Sequence, residues 1–188
     1  MNRRQVLGAG LGIAAAIAMP GIGNATSRDV IDARIRQALE KLYSTNPGAR
    51  ELTSRSHAAL VMPYVLKGGL FVGGSYGEGA LLMNGAGGLV WPAEAYYSVA
   101  AASFGLQIGV QKSSHALFFM TEDAFRRFRY NDGWEIGADA EVTFPDRGLI
   151  AQMNTTEANK PIIGVVFGQD GLLIGASLQG AKYSRINR

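Results

Sequence analysis

Residues 58–82 read AALVMPYVLKGGLFVGGSYGEGALL, and the pattern in this stretch sets the fold class of the chain. Its β-branched and bulky apolar residues are typical of strands. Pro63 and the pairs Gly68-Gly69 and Gly73-Gly74 interrupt any helical period. We therefore predict two or three short strands with sharp bends. Glycines inside strands mark bulges, corners, or the close approach of another backbone or a ligand, and we favour the structural roles here.

The rest of the chain continues this pattern, with helices at three places. An apolar stripe at spacings of three and four predicts a helix over residues 29–44, and a shorter helix follows over residues 49–56. A third helix is predicted over residues 123–129, where Thr121 can cap the helix start. Further strands are predicted over residues 59–62, 89–91, 96–101, 105–112, 116–120, 134–144, 161–167 and 172–179, with turns at residues 84–88 and 168–171 and a frayed basic end at residues 182–188.

These elements define an α+β fold: a strongly bent, mainly antiparallel β-sheet or barrel-like body with N-terminal helices and one short internal helix. The length of 188 residues favours one domain with a sizeable core. The absence of cysteine excludes disulfides, thiolate metal sites, cysteine nucleophiles and an acylated lipoprotein cysteine. His57 and His115 are the only histidines, so we also reject a histidine-based metal site.

The first 25 residues have the pattern of an export signal. A basic region with Arg3 and Arg4 precedes a weakly apolar stretch, and Gly23-Asn24-Ala25 supplies a small-residue cleavage site. The apolar stretch of about 14 residues would span about 21 Å as a helix, less than the roughly 30 Å hydrocarbon core, so a permanent anchor is not predicted. Arg3-Arg4 partly matches a twin-arginine signal, and the ordinary secretory route stays open. Either route delivers residues 26–188, a single domain, outside the cytoplasm.

The mature domain is predicted to be nearly neutral. Residues 1–25 contain two arginines and no acid, so their removal leaves 16 basic and 15 acidic residues, a formal charge of +1. A near-neutral domain gives no general reason to expect nucleic-acid binding, so any affinity for anions must come from local clusters. The densest cluster is Arg126, Arg127 and Arg129 at the end of the third helix. It serves either to compensate the helix dipole or to bind phosphate.

Two patterns raise the question of catalysis or metal binding. GGSYG at residues 73–77 fits the G-x-S-x-G expression with Ser75 as nucleophile, but the glycine-rich residues 84–88 leave no room for the helix that such an elbow requires. The acidic residues between positions 123 and 141 lack the fixed spacing of a calcium loop. These acids are Asp123, Asp132, Glu135, Asp139 and Glu141. We therefore predict no enzyme, no metal site and no cofactor.

Several stretches, taken together and in order, resemble the SYLF domain family. They are LVMP (60–63) with KGG (67–69), GGSYGEG (73–79), SFGLQIG (103–109), FMT (119–121), GWE (133–135) and GASLQG (175–180). The resemblance covers nearly all of residues 26–188. It implies a non-enzymatic domain that binds membrane lipids, with phosphoinositides as ligands of eukaryotic members and actin binding in some fungal ones. For an exported bacterial member the resemblance implies anionic phospholipid, while actin binding is not expected.

From the resemblance and the charge pattern we predict peripheral association, in the periplasm or cell envelope, with membranes that contain anionic phospholipid or phosphoinositide. The predicted lipid-binding residues are Lys67, Arg126, Arg127, Arg129, Lys182 and Arg185. The family's amphipathic membrane-binding region would correspond in position to residues 28–43, although a solvated charged face on a core-packing helix is favoured there. The alternative is a structural or stress protein of the envelope that acts through protein partners, using an apolar patch or a strand edge.

Overall fold

Three helices and one curled antiparallel sheet make up the part of the chain that the computed structural model describes, which is residues 26–70, 72–104, 109–144, 160–168 and 178–188. The helices are α1 (Arg28–Thr45), α2 (Gly48–Arg55) and α3 (Glu122–Tyr130). The strands are β1 (Ala58–Leu70), β2 (Val72–Gly85), β3 (Gly88–Leu89), β4 (Ala95–Phe104), β5 (Gly109–Phe119), β6 (Trp134–Glu135), β7 (Ile162–Phe167) and β8 (Lys182–Ile186). The sheet forms a half-barrel, which confirms the predicted α+β class.

The hairpin of β1 and β2 lies at the centre of the sheet, whose strand order is β6-β8-β4-β2-β1-β5-β7. β4 pairs with β2, β5 pairs with β1, and the short β3 pairs with the end of β2. The predicted hairpin turn at residues 84–88 is therefore confirmed. The prediction of several short strands in residues 58–82 is wrong, because β1 and β2 are continuous over 13 and 14 residues and accommodate their glycines within the strands.

A β-bulge near Pro63 explains two of the glycines in β2. The register of β1 shifts between Val61 and Tyr64 against β2, at the proline that has no N–H to donate. A Cβ at Gly77 would lie 2.6 Å from the carbonyl oxygen of Tyr64, and one at Gly79 would lie 2.1 Å from that of Val61. Only glycine fits at such distances, so the predicted role of glycine in close backbone approach is confirmed here.

Each face of the sheet carries its own apolar core. α1 and α2 cover one face, where Ile35 and Leu42 pack with residues such as Phe118. α3 and the segment after it cover the other, where Phe128 lies 4.9 Å from the rings of both Tyr97 and Phe119. We call these the α1 face and the α3 face. Since successive residues of a strand point to opposite faces, each strand position can be assigned to one of the two.

Some predicted strands have other limits in the structure. The two strands predicted over residues 105–112 and 116–120 form one strand, β5, over the described residues. The strand predicted over residues 134–144 is only β6, because Asp139 accepts a hydrogen bond from the N–H of Glu135 (2.7 Å) and turns the chain. The strand predicted over residues 89–91 shortens to β3. The frayed end predicted at residues 182–188 is wrong, since β8 pairs with β4 and buries Tyr183.

The three predicted helices are confirmed with small changes in their limits. Thr121 caps α3 as predicted, because its hydroxyl oxygen accepts the N–H of Ala124 at 3.3 Å. Within the described ranges, no helix combines the length and the apolar character needed to cross a bilayer. The predicted export signal at residues 1–25, the turn at residues 169–171 and most of the strand at residues 172–179 lie outside the described residues and stay predictions.

Candidate functional site

The basic end of α3 carries three of the predicted lipid-binding residues. Arg126 and Arg127 are exposed. Arg127 forms an ion pair with Asp123 at 2.9 Å on the helix surface, and Arg129 pairs with Glu94 just before β4. Surface pairs of this kind contribute little to stability, but they partly compensate the charge of the two arginines. Arg126 has no ion pair to any residue that the structure describes.

Arg185 lies on the same face of the sheet as α3. It is directly opposite Tyr97 in the pairing of β4 with β8, and directly paired residues share a face. Its backbone N–H donates to Asp132, just after α3, at 3.4 Å. Burial raises the pKa of Tyr97, while the charges of Arg185 and Arg129 act to lower it, so both guanidinium groups lie near this ring. We call Arg126, Arg127, Arg129 and Arg185 the α3 surface.

The remaining two predicted residues, Lys182 and Lys67, lie apart from the α3 surface. Lys182 comes three positions before Arg185 in β8, so its side chain leaves the strand on the opposite, α1 face, where Glu135 is its cross-strand partner. The end of this side chain lies against Gly133, in the turn after α3. Lys67 lies in β1 between Ser75 and Gln111 on the α3 face, and it is half-buried. The structure therefore brings four of the six predicted residues to one surface and separates the other two from it.

A row of exposed side chains crosses the α1 face beyond the end of its apolar core. Its members are directly paired across the neighbouring strands β5, β1, β2, β4 and β8. In that order they are Lys112, Leu66, Tyr76, Ala100 and Lys182. We call them the sheet row. All five are exposed, with 39% of Leu66 and 54% of Tyr76 accessible to solvent. Four strand spacings of about 4.8 Å make the row about 19 Å wide, with an apolar centre and a lysine at each end.

The next positions along the strands carry almost no side chain. Gly74 and Ala102 are paired with each other, are exposed, and lie on the same face as the sheet row. Leu66, Tyr76 and Lys112 were not predicted as site residues, because their juxtaposition depends on strand register. The signal that could have found them is the near-symmetry of KGGLFVGGS around residue 71, since a hairpin centred there pairs Leu66 with Tyr76.

α1 is amphipathic, but its apolar stripe already packs on the sheet. Ile31, Ile35 and Leu42 are buried, so in this structure the stripe is not free to enter a membrane. The exposed side of the helix is basic, and three of its arginines lie over aromatic rings of the body. They are Arg28 over Tyr96 at 5.7 Å, Arg34 over Tyr64 at 5.5 Å and Arg36 over Trp91 at 4.4 Å, measured to the ring centroids.

A hydrogen bond also fixes the start of α1 to the sheet. The hydroxyl of Tyr96 in β4 donates to Asp32 at 2.9 Å. Burial and the nearby Asp32 carboxylate together raise the pKa of Tyr96 to about 12, so this hydroxyl keeps its proton at neutral pH. The contact connects the charged side of α1 to the sheet, which favours the interpretation of α1 as a core-packing helix.

Ser75 does not lie at a nucleophile elbow. It sits within β2, paired with Lys67 on one side and Ala101 on the other, and β2 continues to Gly85 without a turn into a helix. His115 is fully buried, its Nε2 lies 2.8 Å from the hydroxyl of Tyr183, and burial lowers its pKa to about 3.

Two of the acids considered for metal binding already have partners. Asp123 pairs with Arg127, and Asp139 accepts hydrogen bonds from Asn131 and from the N–H of Glu135. The described residues contain no group of three acids or histidines suited to a metal ion.

These observations define a class: an α+β domain built on a curled antiparallel sheet, with charged and apolar side chains exposed on two of its surfaces. The family model Ysc84, described as Las17-binding protein actin regulator, matches residues 100–187. Over these residues the chain matches the SYLF domain family, which confirms the resemblance seen in the sequence. The matched segment begins within β4, so the motifs on β1 and β2 lie outside it. No curated protein matches the chain significantly.

The family is known for lipid binding and actin binding, and it is not an enzyme family. Its printed description concerns actin regulation through a protein partner. Both activities are binding functions, so the candidate functional surfaces are exposed ones whose side chains can bind a membrane or another protein. In the part of the chain that the structure describes, the sheet row and the α3 surface meet that requirement.

Proposed function

We propose that this chain is a non-enzymatic domain that binds membranes containing anionic phospholipid. The observation that carries the proposal is the sheet row, where Leu66 and Tyr76 are exposed between Lys112 and Lys182. Exposed apolar side chains bounded by cations are typical of surfaces that rest at a bilayer interface. The family match supports the same choice, since lipid binding is a family property.

The chemistry of the sheet row matches the layers of a bilayer surface. Leu66 can enter the boundary between head groups and acyl chains, while the amphipathic ring of Tyr76 suits the head-group level. Lys112 and Lys182 then meet lipid phosphates, each contributing on the order of 1 kcal/mol near an anionic surface. The exposed Gly74 and Ala102 beside the row have no long side chains to hold the bilayer away.

The α3 surface is a second candidate contact, and it faces the other way. Lys182 and Arg185 project from opposite faces of β8. One flat bilayer therefore cannot contact the sheet row and the α3 surface at the same time to the same extent. Two of the four arginines of the α3 surface, Arg127 and Arg129, are in ion pairs, whereas neither lysine of the sheet row forms one within the described residues, although Glu135 is the cross-strand neighbour of Lys182. We therefore assign the membrane to the sheet row and treat the α3 surface as the competing assignment.

The cellular setting is also part of the proposal. If residues 1–25 direct export, the domain meets the periplasmic or outer face of an envelope membrane and associates with it peripherally. In that location bacterial anionic phospholipid is the available ligand, and phosphoinositides serve as a chemical comparison. Actin binding, which belongs to the family, is not part of the proposal for an exported bacterial member.

Co-sedimentation of residues 26–188 with vesicles tests this assignment. Neutral phosphatidylcholine vesicles, vesicles with phosphatidylglycerol and vesicles with a phosphoinositide are each compared at low and high salt. We expect binding to the two anionic compositions that weakens as salt screens it. Charge reversal at Lys112 and Lys182 should abolish it, while the matched reversal at Arg126 and Arg185 should leave most of it.

The opposite ranking of the two double variants would move the membrane to the α3 surface. Binding that is independent of the lipid charge and of the salt concentration would contradict the electrostatic part of the proposal. No binding to any vesicle would contradict membrane binding itself and would favour the alternative function, an envelope protein that acts through protein partners.

A further inference from the structure

Two cationic groups share one aromatic ring at the border between α1 and the sheet. The guanidinium of Arg34 in α1 lies 5.5 Å from the centroid of the Tyr64 ring, and Nζ of Lys112 in β5 lies 4.2 Å from the same point. Both cations are exposed and Tyr64 is half-buried. Since both distances end at one centroid, the two charges lie within roughly 10 Å of each other, where like charges repel unless an anion joins them.

The acid nearest to this ring along the sheet does not neutralise the two cations. Glu78 is the cross-strand partner of Tyr64, but its carboxylate is paired with Arg188 and accepts a hydrogen bond from the hydroxyl of Tyr76 at 2.9 Å. Neither Arg34 nor Lys112 forms an ion pair with any described residue. Neither of these two positive charges beside the Tyr64 ring therefore has an acidic partner among the described residues.

Three different elements hold this arrangement in place. The bulge in β1 near Pro63 presents Tyr64, the packed stripe of α1 fixes the helix that carries Arg34, and Lys112 is opposite Leu66 in the pairing of β5 with β1. Lys41 lies two turns beyond Arg34 on α1, about 10 Å away along the helix axis, and adds positive charge on the same side. Because the cations come from separate elements, a ligand that contacts both would connect α1 to β5.

We propose that Arg34, Lys112 and the hydroxyl of Tyr64 form a binding site for the phosphate of an anionic phospholipid, with the acyl chains directed along Leu66 and Tyr76. Guanidinium and ammonium groups are the usual protein partners of phosphate, and the phenol adds a hydrogen-bond donor. The site rests on the proposed function and adds to it a defined place for one head group. The site predicts that a lipid with an accessible phosphate binds more tightly than attraction to negative surface charge alone would explain.

Soluble lipids test the site without a bilayer. The full chain is titrated calorimetrically with monomeric dihexanoyl phosphatidic acid, with glycerol 3-phosphate and with dihexanoyl phosphatidylcholine. We expect phosphatidic acid to bind at least tenfold more tightly than either of the others, because only it combines an accessible phosphate with acyl chains. Equal affinity for glycerol 3-phosphate would overturn the lipid assignment and leave a site for free phosphate esters.

Substitutions locate the binding. Arg34→Gln and Lys112→Gln should each weaken phosphatidic acid binding about fivefold, the effect expected for one cation. The matched control is Arg36→Gln, which removes the same charge and the same kind of ring contact two residues away on α1, and which should change affinity less than twofold. An equal loss in Arg34→Gln and Arg36→Gln would overturn the site.

The outcome separates this site from the proposed function. If vesicles bind as proposed but Arg34→Gln leaves phosphatidic acid affinity unchanged, the site is refuted and membrane binding stands. If vesicles do not bind but phosphatidic acid binds with a dependence on Arg34 and Lys112, the site stands and the membrane proposal fails.

Discussion

The two ends of the β1–β2 hairpin contain similar residues in different surroundings. At the end that begins β1, which we call the covered end, every side chain from residue 58 to residue 62 is completely buried between the helices. At the end that contains Leu66 and Tyr76, which we call the open end, the same strands expose apolar side chains. The two ends therefore differ in what covers them, and composition does not reveal this difference.

The comparison separates stability from binding. The covered end contains the bulge, the aromatic cluster around Phe128 and the buried pair of His115 and Tyr183. The open end contains the sheet row, whose side chains are exposed to solvent. A change at the covered end should thus act on folding, and a change at the open end should act on association. The three predictions below test this division.

The largest expected difference is between two glycines of β2. In Gly79→Ala the new Cβ would lie 2.1 Å from the carbonyl oxygen of Val61, so the strands must separate at the bulge, and we expect a loss of about 3 kcal/mol or more in the free energy of unfolding. In Gly74→Ala the nearest atom, the carbonyl oxygen of Ala101, lies 3.5 Å away, an ordinary contact. That variant should stay within about 1 kcal/mol of the parent.

Urea unfolding of both variants measures this difference. Similar small losses in the two would show that the bulge adapts to a methyl group and that the close contact does not constrain the covered end. Gly77→Ala, with a Cβ 2.6 Å from the carbonyl oxygen of Tyr64, should resemble Gly79→Ala and serves as an internal repeat.

A pH dependence of intermediate size should come from His115 in the covered end. Burial lowers its pKa from 6.5 to about 3, so below pH 6.5 the unfolded chain binds a proton that the folded chain does not. The contribution of His115 is complete above pH 6.5 and is lost as the pH falls toward 3. Between pH 6.5 and 5 this amounts to about 2 kcal/mol for one proton.

Unfolding free energies at pH 7 and pH 5 check this prediction. His115→Gln, which keeps a hydrogen-bond partner for Tyr183, should lose most of the pH dependence. His57→Gln, at the exposed histidine, should keep it. If His115→Gln retains the full dependence, the proton uptake belongs to other groups.

The division between the ends also explains what the sequence could predict. The period of α1, the cap at Thr121 and the β-rich pattern are local signals, and each was read correctly. Whether a strand is covered depends on contacts between distant segments, as when Tyr183, near the end of the chain, enters the core beside His115. Local composition therefore predicted a frayed end where the structure has β8.

The candidate surfaces follow the same rule. The arginines of α3 are close in sequence and were found, whereas the sheet row combines residues between positions 66 and 182. Lys182 was predicted from its charge alone, because the sequence does not show which face of the sheet its side chain occupies. The sequence thus shows where charged residues are close together along the chain, while strand register determines which charged side chains lie on one surface. The choice of the membrane-binding surface depends on strand register.

The smallest expected effect on stability lies in the open end, and there the effect on binding should be large. Leu66→Thr combined with Tyr76→Thr keeps strand propensity and removes side chains that solvent already reaches, so the free energy of unfolding should change by less than about 1 kcal/mol. The same variant loses the apolar centre of the sheet row, and partition into anionic vesicles should fall on the order of tenfold.

The matched control is Leu60→Thr combined with Leu81→Thr, a directly paired and completely buried couple on the same two strands. It should lose several kcal/mol of stability, because large-to-small changes in a core remove burial and leave cavities. A large destabilisation in the open-end variant would mean that Leu66 and Tyr76 support the fold. Unchanged vesicle partition would remove them from the membrane contact and leave the lysines as its basis.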